Sequence, residues 1–288
     1  MRFSLIYLAI FFAILAMSTS SIMVRYCTAP ALLIAFYRVL FTSLLAGSFR
    51  GRQFKTSIAH IKPRDFYLIL VAGFFLALHF AFWISSLDYT SISSSVLFTN
   101  LQVIFVLIFS ITVLKEKSSF PVIGGILLAL TGSLLIAHGD LSSGKLLGDM
   151  LALASGFFVA IYFLVGRTVR ARIDTLSYTS IVSGVAAIVL FPICLLGGLS
   201  FSGYPLVDWV LLALMALFPG LVGHGILNWA LKYVKAPLVA VSILGESVGA
   251  SILAYIFFNE LLLWYQIIGG ILILCGISIA AVNEGKNR

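Results

Sequence analysis

Charged side chains are scarce in this 288-residue sequence, where Asp, Glu, Lys and Arg together make up 10% of the residues. A soluble globular protein carries roughly 25%. The chain therefore has too little polar side chain to cover the surface of a water-soluble fold. The apolar fraction is 61% and the mean hydropathy is +1.15. These values are typical of a multi-pass membrane protein.

Several chemical motifs are also missing from the sequence. The three cysteines, Cys27, Cys194 and Cys275, have no C-x-x-C spacing, which argues against a disulfide scaffold or a zinc site. No complete Walker motif is present, which excludes a self-contained ATP-driven pump. The sequence also lacks an H-E-x-x-H pair and a carboxylate cluster at metal spacing, so an intramembrane enzyme is disfavoured. We predict no catalytic residue, no metal and no cofactor.

The apolar residues fall into about ten stretches, each near the roughly 20 residues that cross the hydrocarbon core of a bilayer. Helices are expected, because open strands would expose unpaired backbone groups to lipid. The predicted spans are Ser4 to Val24, Pro30 to Ser48, Phe66 to Leu87, Ile92 to Leu114, Pro121 to Ala137, Leu147 to Gly166, Leu176 to Leu196, Trp209 to Leu231, Pro237 to Phe258 and Trp264 to Val282.

The positive charges indicate how the chain crosses the membrane. With a cytoplasmic N-terminus, all of the 18 Lys and Arg residues except Arg25, Arg38 and Lys145 lie in cytoplasmic loops or termini. This distribution satisfies the positive-inside rule and predicts that both termini are cytoplasmic. The net charge of +8 then requires no nucleic-acid partner. We expect a bacterial inner (plasma) membrane location, with the lipid bilayer as the main partner; a homodimer is left open.

The second half of the chain resembles the first. An offset of 144 residues aligns Leu87, Tyr89 and Glu116 with Leu231, Tyr233 and Glu260, and it aligns Gly125 and Gly132 with Gly269 and Gly276. We therefore predict an all-α fold of two five-helix repeats, residues 1–144 and 145–288. Since five is odd, the second repeat enters the membrane with inverted topology, an arrangement that recurs in secondary transporters.

Short sequences along the whole chain resemble those of a known family. They are Phe36-Tyr37-Arg38, Leu87-Asp88-Tyr89-Thr90-Ser91, Leu231-Lys232-Tyr233-Val234, Gly223-His224 with Asn228-Trp229-Ala230-Leu231, Leu244-Gly245-Glu246-Ser247-Val248-Gly249-Ala250, and Asn259-Glu260 followed by Gly269 and Gly276. Together with the ten-helix pattern, they resemble the drug/metabolite transporter superfamily and its EamA-type members. The resemblance implies secondary transport of small organic metabolites, commonly export, through a cavity formed mainly by helices 1, 3, 4, 6, 8 and 9.

Two positions depart from the family pattern. Ser247 lies where the family often has proline, and Gln102-Val103 occupies the equivalent place in the first half. The kinks that those prolines provide are therefore in question in this chain.

Glu246 and Arg38 are the ionisable residues near the middle of predicted helices. An ionised side chain costs at least about 2.5 kcal/mol at the bilayer centre, so each should face a cavity or a partner. Glu246 would couple transport to protons or bind a substrate amine, or else it neutralises Arg38. For Arg38 we favour a structural clamp to helix-end carbonyls or to a carboxylate over an anchor for a substrate carboxylate.

Other polar and aromatic residues are candidates for the substrate site. His79 and Trp83 lie one turn apart on the third helix, and His224 and Asn228 repeat that spacing on the eighth. Asn100 and Gln102 on the fourth helix and Tyr162 on the sixth complete the set. For each residue the alternative is an ordinary interhelical hydrogen bond or a packing contact.

Two further groups are assigned structural or gating roles. Pro219 and Gly220 should weaken or break the eighth helix, as in transporters whose half-helices surround a midplane site. Glu116 and Glu260 lie at helix ends and should act as caps, bridges or gate elements.

The sequence thus predicts a secondary transporter, with export by proton antiport as the first hypothesis and an uncoupled facilitator or lipid flippase as the alternative. The small-molecule substrate would be an amino acid, a nucleoside or a cationic compound.

Overall fold

In a computed structural model of the chain, which describes residues 3–51, 54, 59, 61–138, 146–258 and 262–286, all regular structure is helical. Within these ranges, ten helices are long and apolar enough to cross a membrane. They are α1 (Leu5–Tyr26), α2 (Ala31–Arg50), α3 (Pro63–Ser86), α4 (Ser94–Thr112), α5 (Phe120–Ala137), α6 (Leu146–Val169), α7 (Thr175–Leu196), α8 (Leu206–Ala230), α9 (Ala236–Phe257) and α10 (Trp264–Glu284). The all-α fold with ten spans is confirmed, and each predicted span overlaps its observed helix.

The distribution of side chains is that of a protein surrounded by lipid. Large apolar residues such as Phe120, Leu196 and Leu206 are exposed on the outside of the bundle. Arg38 and Glu246, in contrast, are buried in its interior. Polar groups therefore concentrate inside the bundle, where they avoid the cost of contact with hydrocarbon.

Helices α4 and α9 are each interrupted near their centres. The helical segments that make up α4 are Ile92–Asn100 and Gln102–Thr112, which begin two residues before its span, and those of α9 are Ala236–Ile243 and Gly245–Phe258, which end one residue after its span. The N–H groups of Ile104 and Ser247 each bond to the carbonyl three residues earlier, at 3.0 and 3.1 Å. This local tightening interrupts both helices although neither interruption contains a proline.

Helix α8 is not broken at Pro219 but changes locally from α-helical to π-helical winding. Residues Ala216–His224 form a π-helical segment that contains Pro219 and lies within a span that continues to Ala230. A proline removes one backbone donor, and the wider π turn is a common way to absorb such a disruption. The expected weakening at Pro219 and Gly220 therefore appears as a change of winding, and the helix remains continuous.

The helices pack in a reciprocal pattern between the two halves of the chain. The pairs are α2 with α7, α5 with α10 and α4 with α9, while α3 packs on α6 and α1 packs on α8. Glycines allow the backbones of α5 and α10 to pack closely together. A Cβ at Gly125 would overlap the carbonyl oxygen of Gly276, and one at Gly276 would overlap that of Gly125. Gly132 and Gly269 form an equivalent pair.

Candidate substrate cavity

A central cavity lies among the helices, and the space free of protein atoms in and around it, open solvent included, is about 440 Å³. Its lining comes from both halves of the chain and comprises Met17, Ser20, Arg38, His79, Phe80, Trp83, Val96, Thr99, Asn100, Gln102, Val159, Phe163, His224, Ile243 and Glu246. Six of the eight residues predicted for the substrate site are therefore brought together: His79, Trp83, Asn100, Gln102, His224 and Glu246. Their roles in binding stay predictions.

Two of these residues lie beside the interruptions in α4 and α9. Gln102 begins the second segment of α4, and Glu246 is the second residue of the second segment of α9. Under the 144-residue offset, Gln102 corresponds to Glu246, so one cavity receives an amide from one half and a carboxyl from the other. Asn100 fixes the two segments together, because its side-chain N–H donates a 3.0 Å hydrogen bond to the Ser247 hydroxyl.

Glu246 lines the cavity, where the Arg38 guanidinium acts on it electrostatically without a direct bond. Glu246 is buried, and none of the described residues donates a hydrogen bond to its side chain. Across the part of the chain that the structure describes, no salt bridge joins it to Arg38. The backbone around it is held by α1, since the Ser18 hydroxyl lies 3.4 Å from the Glu246 carbonyl oxygen and a Cβ at Gly249 would overlap the Ser18 hydroxyl.

Arg38 is held mainly by aromatic rings. Its Nη1 donates a 2.7 Å hydrogen bond to Ser20, and its Cζ lies 4.4 Å from the Phe80 ring centroid and 5.6 Å from that of Trp83. Its Nε is buried without a partner. The expected clamp to a carbonyl or a carboxylate is absent among the described residues, so several guanidinium N–H donors remain available to a ligand.

The two histidines lie side by side in the wall of the cavity. Their ring centroids are 6.3 Å apart. Nδ1 of His79 lies 2.8 Å from the Ser155 hydroxyl oxygen and 3.2 Å from the Ser155 carbonyl oxygen, whereas Nδ1 of His224 has no partner. Trp83 lies nearly parallel to His79, with an interplanar angle of 10° and centroids 6.5 Å apart. The cavity thus combines flat aromatic walls with one carboxyl and one guanidinium.

Asn228 and Tyr162 belong to a second, smaller cavity, where the space free of protein atoms, open solvent included, is about 270 Å³. The Asn228 amide donates a 2.5 Å hydrogen bond to the Tyr162 hydroxyl. Arg38, Phe80 and His224 line both cavities and form the wall between them.

Gly220 also lines the second cavity, because the π-helical segment brings α8 against α2. A Cβ at this position would overlap the Thr42 hydroxyl, which lies 3.2 Å from the Ala216 carbonyl oxygen. Pro219 lies in the same segment but is not part of the lining.

Arg170 is buried and bonds to the backbone of Asn228, a residue of the second cavity, which its place in a short loop did not suggest. Its Nε donates a 3.1 Å hydrogen bond to the Asn228 carbonyl, and its Nη2 contacts the Thr175 hydroxyl. Burial lowers the pKa of this guanidinium. The positive-inside rule counts the charges of loop arginines without regard to their contacts, so it could not predict the hydrogen bond between Arg170 and Asn228.

Glu116 is not part of the lining of either cavity. Glu116 accepts a 2.9 Å ion-paired hydrogen bond from Arg167, whose Nη1 also donates to the Leu231 carbonyl at 2.6 Å. These contacts tie the loop after α4 to the ends of α6 and α8. Glu260 lies outside the described residues.

One local sequence matches a catalytic pattern without its structural context. Gly245 to Gly249 read G-x-S-x-G, but the segment is helical, whereas a nucleophile elbow is a strand-to-helix turn. The Ser247 hydroxyl accepts the hydrogen bond from Asn100. Among the described residues, there is also no group of three or more potential metal ligands.

Comparisons with known proteins agree with this arrangement. The model of the EamA-like transporter family matches the chain twice, at residues 4–138 and 146–282. An uncharacterized transporter of Archaeoglobus fulgidus is 24% identical over 262 residues, which cover 87% of this chain and 88% of the relative. The uncharacterized transporter YcxC of Bacillus subtilis is 26% identical over 238 residues, with 78% and 76% covered.

A solved crystal structure shares the fold. It matches with a TM-score of 0.78 at 17% identity, covering 96% of this chain and 98% of the other. At that identity the likeness shows the fold alone. The two family matches together cover nearly the whole chain, with one match in each half. This chain, a multi-pass membrane protein that handles small molecules, belongs to the EamA-like transporter family of the drug/metabolite transporter superfamily.

Proposed function

We propose that the protein is a secondary active exporter, which moves a small organic metabolite through the central cavity in exchange for protons. The observation that carries the proposal is the Glu246 carboxyl, which is buried in the cavity without a hydrogen bond or an ion pair from any described residue. A buried, unpaired carboxylate is costly. Arg38 acts on this carboxyl from the same cavity but does not bond to it. A bound proton or a cationic part of the solute would therefore stabilise the group further.

Exchange between those two states would couple the solute to the proton. The titratable and charged groups that line the cavity with Glu246 are Arg38, His79 and His224. Gln102 and Asn100 face the same space from α4 and offer neutral hydrogen-bonding groups. The aromatic rings of Phe80, Trp83 and Phe163 suit an apolar or aromatic body between the polar contacts. Amino acids, nucleosides and organic cations all fit this description.

The architecture supports alternating access between two inverted repeats, residues 1–144 and 145–288. The glycine contacts between α5 and α10 follow the 144-residue offset, because Gly125 meets Gly276 while their counterparts, Gly269 and Gly132, meet each other. Reciprocal contacts are what a pseudo-two-fold axis between repeats produces. The charge distribution supports cytoplasmic termini in a plasma membrane.

At the end assigned to the cytoplasm, ion pairs join neighbouring elements. Glu116 and Arg167 connect the loop after α4 to α6, and Lys235 pairs with Glu284 of α10 at 3.5 Å. These contacts would have to break when the cavity opens to the cytoplasm. We therefore assign Glu116 to a cytoplasmic gate, and by the repeat relationship Glu260 to the opposite end.

The proposal is tested with purified protein in liposomes loaded with amino acids, nucleosides and organic cations. Mass spectrometry measures which solutes leave and whether any is chemically changed. We expect selective loss of one class, reduced at least tenfold by Glu246→Gln and unchanged by Asp88→Asn, an acid-to-amide substitution at an exposed turn outside both cavities. Product formation would instead indicate an enzyme. Lipid movement without solute loss would indicate a flippase.

A further inference from the structure

The second cavity differs from the central one in its charge. Arg38 is the only charged residue in its lining, which contains no Asp or Glu. Thr179 and Ser183 of α7 present hydroxyl groups to it, and Asn228 and Tyr162 form the opposite side. The Glu246 carboxyl acts on the charge of Arg38 from the central cavity, but on the side of the second cavity no carboxylate meets the guanidinium.

Several buried polar atoms around this cavity have no hydrogen-bond partner. The Arg38 Nε, the Thr179 hydroxyl and the His224 Nδ1 are all buried without a hydrogen bond. Buried polar groups in proteins are nearly always hydrogen-bonded, and exceptions commonly mark a functional site. A guanidinium has five N–H donors, and a hydroxyl and a neutral imidazole nitrogen can each present one more. These three groups together therefore match an anion.

The size of the charge narrows the choice of anion. One guanidinium, supported by neutral donors, balances a single negative charge, and its planar fork fits the two oxygens of a carboxylate. The Asn228 Oδ1, which is also buried without a partner, is an acceptor and suits an N–H or O–H group beside that carboxylate. A free inorganic anion would leave this acceptor unsatisfied.

We propose that the second cavity is a binding subsite for the carboxylate of the transported solute, with Arg38 as its ion partner and Thr179 as a hydrogen-bond donor. The inference rests on the proposed function, because it assigns the other end of the solute to Glu246. Arg38 lines both cavities, so its guanidinium can meet the carboxylate of a solute whose other end lies beside Glu246 in the central cavity. The solute then carries a carboxylate at one end and a cationic group at the other.

Thermal unfolding of the purified full-length protein in detergent tests this assignment. The probes are leucine, phenylalanine and glutamine, each compared with its carboxamide and with the amine that lacks the carboxylate. We expect at least one acid to stabilise the protein with an apparent affinity roughly tenfold higher than that of its amide, a difference of about 1.4 kcal/mol. Equal responses within every set, including no response at all, overturn the proposal.

Three variants locate the effect. Arg38→Gln should abolish the preference for acid over amide, and Thr179→Val should reduce it severalfold without changing binding of the amide. Thr131→Val makes the same substitution on the exposed face of α5 and should change nothing. If the buried arginine proves essential for folding, Thr179→Val decides the question. A preference that survives Thr179→Val unchanged overturns the proposal.

A chloride titration separates the two sources of anion. Stabilisation by chloride that amino acids do not compete away would assign the cavity to an inorganic ion and overturn the inference. The outcome is independent of the flux measurement. If liposomes show solute flux but the acid and the amide bind alike, the carboxylate subsite is wrong and the proposed function stands. If acids bind selectively but no flux occurs, the proposed function fails alone.

Discussion

The Arg38 guanidinium and the Glu246 carboxyl line one cavity inside the membrane but form no salt bridge in the described part of the chain. Arg38 is instead directed by the Ser20 hydroxyl and the Phe80 ring. Two opposite charges that neutralised each other would leave the cavity without charged contacts for a ligand. Because the two groups do not bond to each other, both can contact a ligand, as the proposed transport mechanism requires.

The contact between α5 and α10 predicts a position-specific effect on stability. Gly132→Ala would force a methyl group into the Gly269 carbonyl, so we expect destabilisation of about 1–3 kcal/mol. Gly124→Ala lies on the same helix with nothing within 4 Å of the added atom, so its unfolding temperature should be unchanged or slightly higher. Thermal unfolding in detergent compares the two. Equal effects would contradict the close packing.

The hydrogen bond between Asn100 and Ser247 should stabilise the paired interruptions of α4 and α9. Ser247→Ala removes the acceptor of a buried amide, and we expect a loss of about 1–3 kcal/mol. Ser251→Ala is the control, because that hydroxyl bonds only to the Ser247 carbonyl of its own helix at 2.8 Å. Chemical unfolding measures both. A loss confined to Ser251→Ala would be contrary to the predicted role.

The ion pair between Glu116 and Arg167 should contribute modestly to stability. Both side chains are partly exposed, at 17% and 21%, and pairs of this kind contribute up to about 1 kcal/mol. A double-mutant cycle with Glu116→Gln and Arg167→Gln isolates the coupling. We expect about 0.5–1 kcal/mol, falling as salt is added. A coupling free energy of zero would contradict a role for this ion pair in the gate.

Cys27, in the connection between α1 and α2, reports on orientation. Burial raises the pKa of its thiol to about 11, and the nearby Asp208 carboxylate acts in the same direction. Because only the thiolate reacts, labelling should increase about tenfold per pH unit and continue to rise above pH 9. A membrane-impermeant thiosulfonate should label it from outside in spheroplasts, with Cys27→Ser as the control. Labelling that requires permeabilised membranes would reverse the assigned topology.

The sequence predicts the helices well because lipid imposes a simple rule on composition. A stretch of about 20 apolar residues has few alternatives to a spanning helix. The ends of α5 and α7 are predicted to within one residue. The π-helical winding of α8 could not be predicted, since Pro219 indicates disruption without specifying whether the helix breaks, kinks or widens.

The site is predicted only in part. Glu246, Gln102 and His79 are recognisable because polar groups deep in a membrane helix require an explanation. Phe80 and Phe163 also line the cavity, but an apolar residue that faces a cavity resembles one that faces lipid or a neighbouring helix. Thr179 was missed for a related reason, because hydroxyl groups in membrane helices commonly bond to their own backbone.

Proton movement coupled to solute movement tests the central claim most directly. Liposomes that contain the protein and a pH-sensitive dye are placed under a defined proton gradient, and amino acids, nucleosides and organic cations are added in turn. For the wild-type protein we predict proton movement triggered by one solute class, and for Glu246→Gln we predict none. Equal solute movement in both proteins without protons would contradict coupling through Glu246 and would identify an uncoupled facilitator.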